Sequence, residues 1–452
     1  MTGRRRSSPR PYSHAPAVAI ASAVACAAVI ASLLSGCGSL PGASGDSGEK
    51  APITVMTWAP EGTKATNMPG MPAMAQAYAR WVNSRGGIRG HHLKVLTCNE
   101  HNDTVASAQC AQRAADHNAV AVVGSYSQHG RSFMSPLEVK GIPFIGGYGA
   151  SEEEFASPLS YPINGGQASL LAGNGRQLAR NCKRVALVRP DTIQGDQMPS
   201  LLNSGLHNGH RSPAEDIKAP EDGTDYAPQV TRALDGVGAD PTVHGTAADG
   251  GTAPGSCVTA SLGDHTDAFF DSFRRLQEDS PRVHIASVLG SVGQALVDRT
   301  GGRSGPLEGA YITGWYPVAS DARWQPMRKV LNDFAFGDNR IDPADQGVQT
   351  TWIAYTVLRA LIEQLDDEGV EEITPRALQK TLDDGKRAID TGGLTPKLRW
   401  REDDMLTVQN YPRVVNGMVT YQVVRDGQLV AAQDGFVNVT KTLERRVTDE
   451  DR

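Results

Sequence analysis

The sequence lacks the signatures of the common enzyme classes. It has no Gly-x-Ser-x-Gly elbow to expose a nucleophilic serine and no Gly-x-x-x-x-Gly-Lys loop to cradle phosphates. Metal-ligand spacing is missing too, since no CxxC or HxxxH pattern occurs. The expectation is therefore a protein that is not an enzyme and has no cofactor or metal. His91, His92 and His101 lie near Asp103, but adjacent residues of a strand point to opposite faces, so these read as a solvated polar loop. Glu152-Glu153-Glu154 and Asp383-Asp384 read as solvated acidic faces. A basic excess is also absent: 44 Lys+Arg face 50 Asp+Glu, a net charge of −6. Phosphate binding needs basic patches, so nucleic acid is excluded as a partner. Apolar content of 39% with 21% charge is ordinary for a globular protein.

One long hydrophobic run is present, and it lies at the N-terminus. Arg4, Arg5, Arg6 and Arg10 precede a small and apolar stretch over 17–34, the pattern of a secretory signal. The stretch ends in Leu34-Ser35-Gly36-Cys37, which resembles a bacterial lipobox. That resemblance implies cleavage before Cys37, lipidation of its thiol, and a protein held by lipid on the extracellular face of the cell membrane. An uncleaved membrane anchor is the rival, and both readings put the remainder outside the cytoplasm. Loss of residues 1–36 removes four arginines and no acids, so the net charge moves from −6 to −10. Residues 37–50 read as a flexible tether. Cys26 leaves with the signal. Cys98, Cys110, Cys182 and Cys257 remain, and an even number outside the cytoplasm suggests two disulfides, with three pairings open.

From residue 53 short β-branched runs alternate with one-sided helical patterns. Ile53-Thr54-Val55-Met56-Thr57-Trp58 reads as a strand. Met71, Met74, Tyr78, Trp81 and Val82 recur at helical spacing before Gly86-Gly87, which caps the helix. Further strands are expected at 93–97, 119–123 and 142–145. The pattern restarts at Val185 and continues through strands at 258–262, 284–289 and 310–316. Residues 241–256 read as a surface insertion. Helices are expected over 324–336, 345–365 and 374–382. Residues 398–400, 412–415, 418–424 and 429–430 read as strand-like, with Asn416-Gly417 and Asp426-Gly427 as hairpin turns. Such alternation predicts an α/β chain with two doubly wound parallel-sheet lobes.

Val82-Asn83-Ser84-Arg85-Gly86-Gly87-Ile88-Arg89-Gly90 is similar to a hallmark of the branched-chain amino-acid-binding receptors of ABC transporters. Ala121-Val122-Val123-Gly124-Ser125 and Gly141-Ile142-Pro143-Phe144 follow in that family's order. The resemblance implies the type I periplasmic-binding-protein fold, in which two lobes joined by three crossings close on a ligand. The crossings are expected near 165, 317 and 395. Lobe 1 then takes 51–165 and 318–395, lobe 2 takes 166–317 and 396–437, and 438–452 is a disordered tail. This plan favours the pairings Cys98–Cys110 and Cys182–Cys257.

Ligands of such sheets sit beyond the C-terminal strand ends. The loops there supply Trp58; Ser125, Tyr126, Ser127 and Gln128; Tyr148, Ala150 and Ser151; Gln194; Asp264 and His265; Val292; and Trp315. The resemblance implies that Ala150-Ser151 hold the ligand's amino-acid group. Gln194 stands where the family has a Tyr, and Val292 where it has an acid to pair an ammonium. Asp264 or Asp191 could substitute for that acid. Trp58, Tyr126, Tyr148, Trp315 and Tyr316 are candidates to stack on a ring, with at least two of them expected in the core. The implied function is a monomeric receptor that captures a small polar metabolite, an amino acid or a related compound, and delivers it to an ABC permease. A sensor that signals to a membrane kinase and a scaffold that has lost its ligand are the alternatives.

Overall fold

The structure is a computed structural model that describes residues 50–64, 66–220, 222–238, 255–277 and 283–444. The signal, Cys37, the tether up to residue 49, most of the insertion at 241–256 and the last eight residues lie outside the described residues, and Lys50, expected in the tether, opens the first strand. Among the described residues no helix is long and apolar enough to cross a membrane.

The first lobe is built on β1 (Lys50–Ala59), β2 (His91–Asn99), β3 (Ala121–Val123), β4 (Phe144–Ile145) and β5 (Ser160–Tyr161). They form a parallel sheet in the order β2-β1-β3-β4-β5. Val55 to Ala59 are buried without a break because helices cover both faces of a parallel sheet. Those helices are α1 (Gly70–Asn83), α2 (Thr104–Asp116), α3 (Gly130–Lys140) and the short α4 (Glu153–Ala156). Met71, Met74, Tyr78 and Val82 face inward from α1, as their spacing predicts. Gly86 and Gly87 end it with φ of 84° and 81°. A Cβ at Gly87 would lie 2.2 Å from the His91 carbonyl oxygen, so the turn into β2 requires glycine there.

The chain crosses at α5 (Gly166–Asn181) into a second, mostly parallel sheet. Its strands are β6 (Arg184–Pro190), β7 (Glu215–Ala219), β8 (Ser256–Ala260), β9 (His284–Val288), β10 (Tyr311–Gly314), β11 (Met418–Arg425), β12 (Gln428–Ala431) and β13 (Val437–Asn438). Their order is β12-β11-β10-β9-β8-β6-β7, with β13 on β11. The helices of this lobe are α6 (Met198–Asn208), α7 (Ala227–Gly236), α8 (Thr266–Gln277) and α9 (Gln294–Arg299). After β10 the chain returns to the first lobe as α10 (Gln325–Phe334), α11 (Gln346–Asp367) and α12 (Pro375–Asp384). Helix α11 runs against α1 and beside the ends of β3 and β4, where the Thr351 hydroxyl donates to the Gly124 carbonyl at 3.0 Å.

Both disulfides join the cysteines that the family plan pairs. Cys98–Cys110 ties β2 to α2, and Cys182–Cys257 ties the end of α5 to β8 across 75 positions. Asp426-Gly427 is a two-residue hairpin with φ of 53° and 74°, and it sets Arg425 opposite Gln428.

Several expectations need correction. The third crossing comes later than 395. Trp400 donates from Nε1 to the Pro162 carbonyl at 2.9 Å, and the Arg413 N–H bonds the Phe155 carbonyl, so this segment still lies on first-lobe elements. Entry into the second sheet falls at Met418. Residues 398–400 and 412–415 are not strands, and Leu398 makes only an isolated bridge with Ile389. Asn416 is therefore not in a hairpin; it donates to the Ile163 carbonyl and accepts from Met418 N–H. Residues 438–444 are ordered: β13 is followed by α13 (Thr440–Leu443), whose Thr442 accepts from Asn208 at 2.8 Å. Strand β7 escapes the hydrophobic pattern because it is an edge strand, and Glu215, Asp216 and Lys218 sit on it. His91 opens β2 and is buried, with Nδ1 on the Ala51 carbonyl at 2.7 Å.

Candidate functional site

The C-terminal strand ends of both sheets face one cleft, and the loops there line a half-open cavity of about 130 Å³. Lobe 1 contributes Tyr126 and Gln128 after β3 and Tyr148 to Ala150 after β4. Lobe 2 contributes Gln194 after β6, Ser261, Leu262, Gly263 and His265 after β8 and Gly290-Ser291 after β9. Trp315, on the crossing after β10, forms the back wall.

Three rings make one continuous surface. Tyr126 meets Tyr148 edge-on at 5.1 Å, and Tyr148 meets Trp315 at 5.2 Å and 84°. Trp315 is fixed by Nε1 donating to the Gly166 carbonyl at 2.9 Å. Edge-to-face packing at this spacing holds each ring in one orientation. The Tyr148 hydroxyl crosses to lobe 2, where a Cβ on Gly290 would stand 2.5 Å from it. Gly290 has φ of 95°, so this close approach needs its glycine.

The lobes also touch directly. Gln194 donates to the Gln128 carbonyl at 3.4 Å, and His265 Nε2 donates to the Lys64 carbonyl at 3.1 Å. Gln197 donates to Glu152, and Tyr411 donates to Gln197 at 2.8 Å. The two lobes are thus in contact around the cavity.

Seven of the thirteen expected site residues line this space: Tyr126, Gln128, Tyr148, Ala150, Gln194, His265 and Trp315. The side chain of Asp264 lies outside the described residues. Five residues stand elsewhere. Trp58 is fully buried between Phe133 and Phe144, at 5.3 and 5.9 Å. The Ser125 hydroxyl accepts the Trp58 N–H, and the Ser127 hydroxyl donates to Glu100 at 3.0 Å beneath the loop. Ser151 is turned toward Glu154, and Val292 sits in the lobe 2 core. Tyr316 is also core, with its hydroxyl on Asn164 and Thr350. Asp191 pairs with Lys218 at 2.9 Å and does not line the cavity.

Glu154 is the largest departure from expectation. It is 1% exposed, not part of a solvated face. Its carboxylate accepts N–H bonds from Gly149, Ala150 and Ser151 at 2.9, 2.9 and 3.0 Å, and one from the Ser151 hydroxyl at 3.2 Å. Burial pushes its carboxyl up to about 7 even though these bonds favour the ionised form. Burial likewise raises the Glu100 carboxyl, against the bonds from Ser127 and Asn102. Sequence reading also missed Thr66, Met68, Gln167, Leu170 and Met198 in the lining. The Gly-, Pro- and Thr-rich stretch over 59–72, which follows the first strand, is the sequence signal for the first two.

The family model described as periplasmic binding protein matches residues 56–428. The chain belongs to the periplasmic binding protein family. Among curated proteins none matches this sequence. Solved structures similar to this periplasmic binding protein include the leucine binding protein LivK of Thermotoga maritima, at 13% identity, TM-score 0.64, covering 85% of this chain and 99% of that one. A solute binding protein of an ABC transporter from R. palustris, in complex with 4-hydroxybenzoate, matches at 14% identity and TM-score 0.63, covering 86% and 98%. A fatty acid ABC transporter substrate-binding protein from Thermomonospora curvata matches at 12% identity and TM-score 0.67, covering 88% and 97%. At these identities the likeness is one of fold. It agrees with the two-lobed α/β architecture.

Proposed function

We propose that this periplasmic binding protein is a lipid-anchored receptor that captures a small solute between its lobes and passes it to an ABC permease. The observation that carries the proposal is the half-open cavity lined by loops of both lobes, with Tyr148 of one reaching Gly290 of the other. A ligand there touches both walls only when the lobes are together. It therefore shifts an open–closed equilibrium by its differential affinity for the closed form, which is the form a permease reads. The similar structures carry leucine binding, 4-hydroxybenzoate and fatty acid in their descriptions, so the fold accepts solutes of several shapes. Lipidation at Cys37 would keep the receptor beside its permease.

Deletion of the gene followed by uptake assays over a solute panel tests the proposal. Loss of uptake of one solute class is the expected result. Unchanged uptake with lost induction would favour the sensor, and no change in either would favour the scaffold.

A further inference from the structure

We propose that the cleft selects a solute without a carboxylate, an uncharged ring bearing hydroxyl or amide groups, and that Glu154 is the positioning residue behind this preference. The inference rests on the receptor reading above and narrows its ligand. The loop after β4 stands where the family resemblance would put an amino-acid head group. Here the N–H groups of Gly149, Ala150 and Ser151 and the Ser151 hydroxyl all point at one internal acid, within 2.9–3.2 Å. An incoming carboxylate finds these four donors already engaged by Glu154.

The rest of the wall offers no cationic replacement. Among the described residues no Lys or Arg lines the cavity, and the one basic ring, His265, has Nε2 on the Lys64 carbonyl. Burying a carboxylate without a partner is strongly unfavourable. What the wall does offer is neutral: the carboxamides of Gln128, Gln167 and Gln194 and the hydroxyls of Ser261 and Ser291, set around the Tyr126–Tyr148–Trp315 surface. These donate and accept without charge, beside ring faces. The size agrees. An apolar cavity of about 150 Å³ takes benzene, and this one measures about 130 Å³. One ring with a few polar substituents fits.

The test uses the wild-type mature chain and matched pairs, each an uncharged ring compound and its carboxylated counterpart. 4-Hydroxybenzamide against 4-hydroxybenzoate and glucose against glucuronate are two such pairs, read by thermal shift and calorimetry. The expected result is an uncharged member that binds at least about tenfold tighter than its acid, a difference of about 1.4 kcal/mol. An acid that binds equally or better overturns the inference and leaves the receptor reading intact. Silence from every uncharged member also overturns the inference; the receptor reading falls only if gene deletion leaves uptake and induction unchanged. Glu154→Ala adds an independent arm, because it leaves three amides without their acceptor. Added acetate should raise the Tm of Glu154→Ala and leave wild type unmoved. An equal response in both would remove Glu154 from the proposal. The paired-ligand arm needs no variant, so it holds even if Glu154→Ala fails to fold.

Discussion

Glu154→Gln should flatten the dependence of stability on pH. The Glu154 carboxyl titrates near 7 in the folded protein, against an ordinary value of 4.5. A raised folded pKa means that the folded form holds its proton where the unfolded form has lost it. The group's favourable contribution is therefore complete below about pH 4.5 and is lost as pH rises toward 7. At 1.36 kcal/mol per unit, the loss approaches about 3 kcal/mol, most of it between pH 5 and 8. Neighbouring acids do not complicate the comparison. Glu152 accepts from Gln197, and Glu153 lies 3.5 Å from Arg131, so both are compensated from outside the pocket that holds Glu154. Glutamine keeps the shape and one accepting oxygen, yet does not titrate. Urea unfolding of both proteins at pH 5 and pH 8 measures the effect with disulfides intact. The variant should be weaker at pH 5, where its NH2 group faces the 149–151 N–H donors in place of the protonated carboxyl of the wild type. That deficit should shrink or reverse by pH 8, with the two stability–pH curves converging by about 2–3 kcal/mol. Parallel curves would refute the buried titration.

Three further outcomes follow from particular contacts. Replacing Cys182 and Cys257 by serine removes a closure over 75 positions and should cost about 4 kcal/mol in urea unfolding, against about 3 kcal/mol for the shorter Cys98–Cys110 link. Trp315→Ala removes the ring on which Tyr148 packs and should weaken binding of the solute found in the uptake panel by about two- to tenfold in calorimetry, since aromatic pairs contribute about 0.5–1.5 kcal/mol beyond burial. Gln194→Ala with Gln197→Leu deletes three hydrogen bonds between the lobes; at about 1 kcal/mol for each, the ratio of closed to open forms without ligand should fall by about two orders of magnitude. Small-angle scattering would show the double variant as more extended than wild type in the absence of ligand, and an unchanged radius would count against these contacts as a latch.

How far the molecule can be read from its sequence depends on the range of the interactions that set each feature. Helix α1 and its Gly86-Gly87 end are local: one-sided spacing and a positive-φ turn decide them, and both stand as expected. The disulfides follow once the order of parallel strands is known, because Cys182 and Cys257 enter the second lobe at one edge. The site divides differently. Trp58 and Trp315 each follow or end a strand at the rim, and composition cannot separate them. Trp58 is drawn under the loops by Phe133 and Phe144, whereas Trp315 lies on a crossing, packs edge-on against Tyr148 and lines the cleft. Ser125 and Ser127 have the right position but turn beneath their own loop, since buried hydroxyls take the nearest unpaired groups, the Trp58 amide and the Glu100 carboxylate.

Glu154 is the hardest case and the most informative. Three successive acids look like a solvated face, because burying one carboxylate is costly and a run of three gives no sign of which is paired. The partners that make burial tolerable are backbone amides, and amides leave no mark in a sequence. What fixes them is the packing of glycines: a Cβ at Gly147 would stand 2.1 Å from the Glu154 carboxylate, and one at Gly149 would stand 3.0 Å from Asn164. Those two small residues let the loop wrap onto the acid, and the wrapped loop in turn sets which groups of Ala150 and Ser151 reach the cleft. The specificity of the site therefore lies in a backbone arrangement held by Glu154. An acidic side chain that touches no ligand can decide whether a ligand carries a carboxylate.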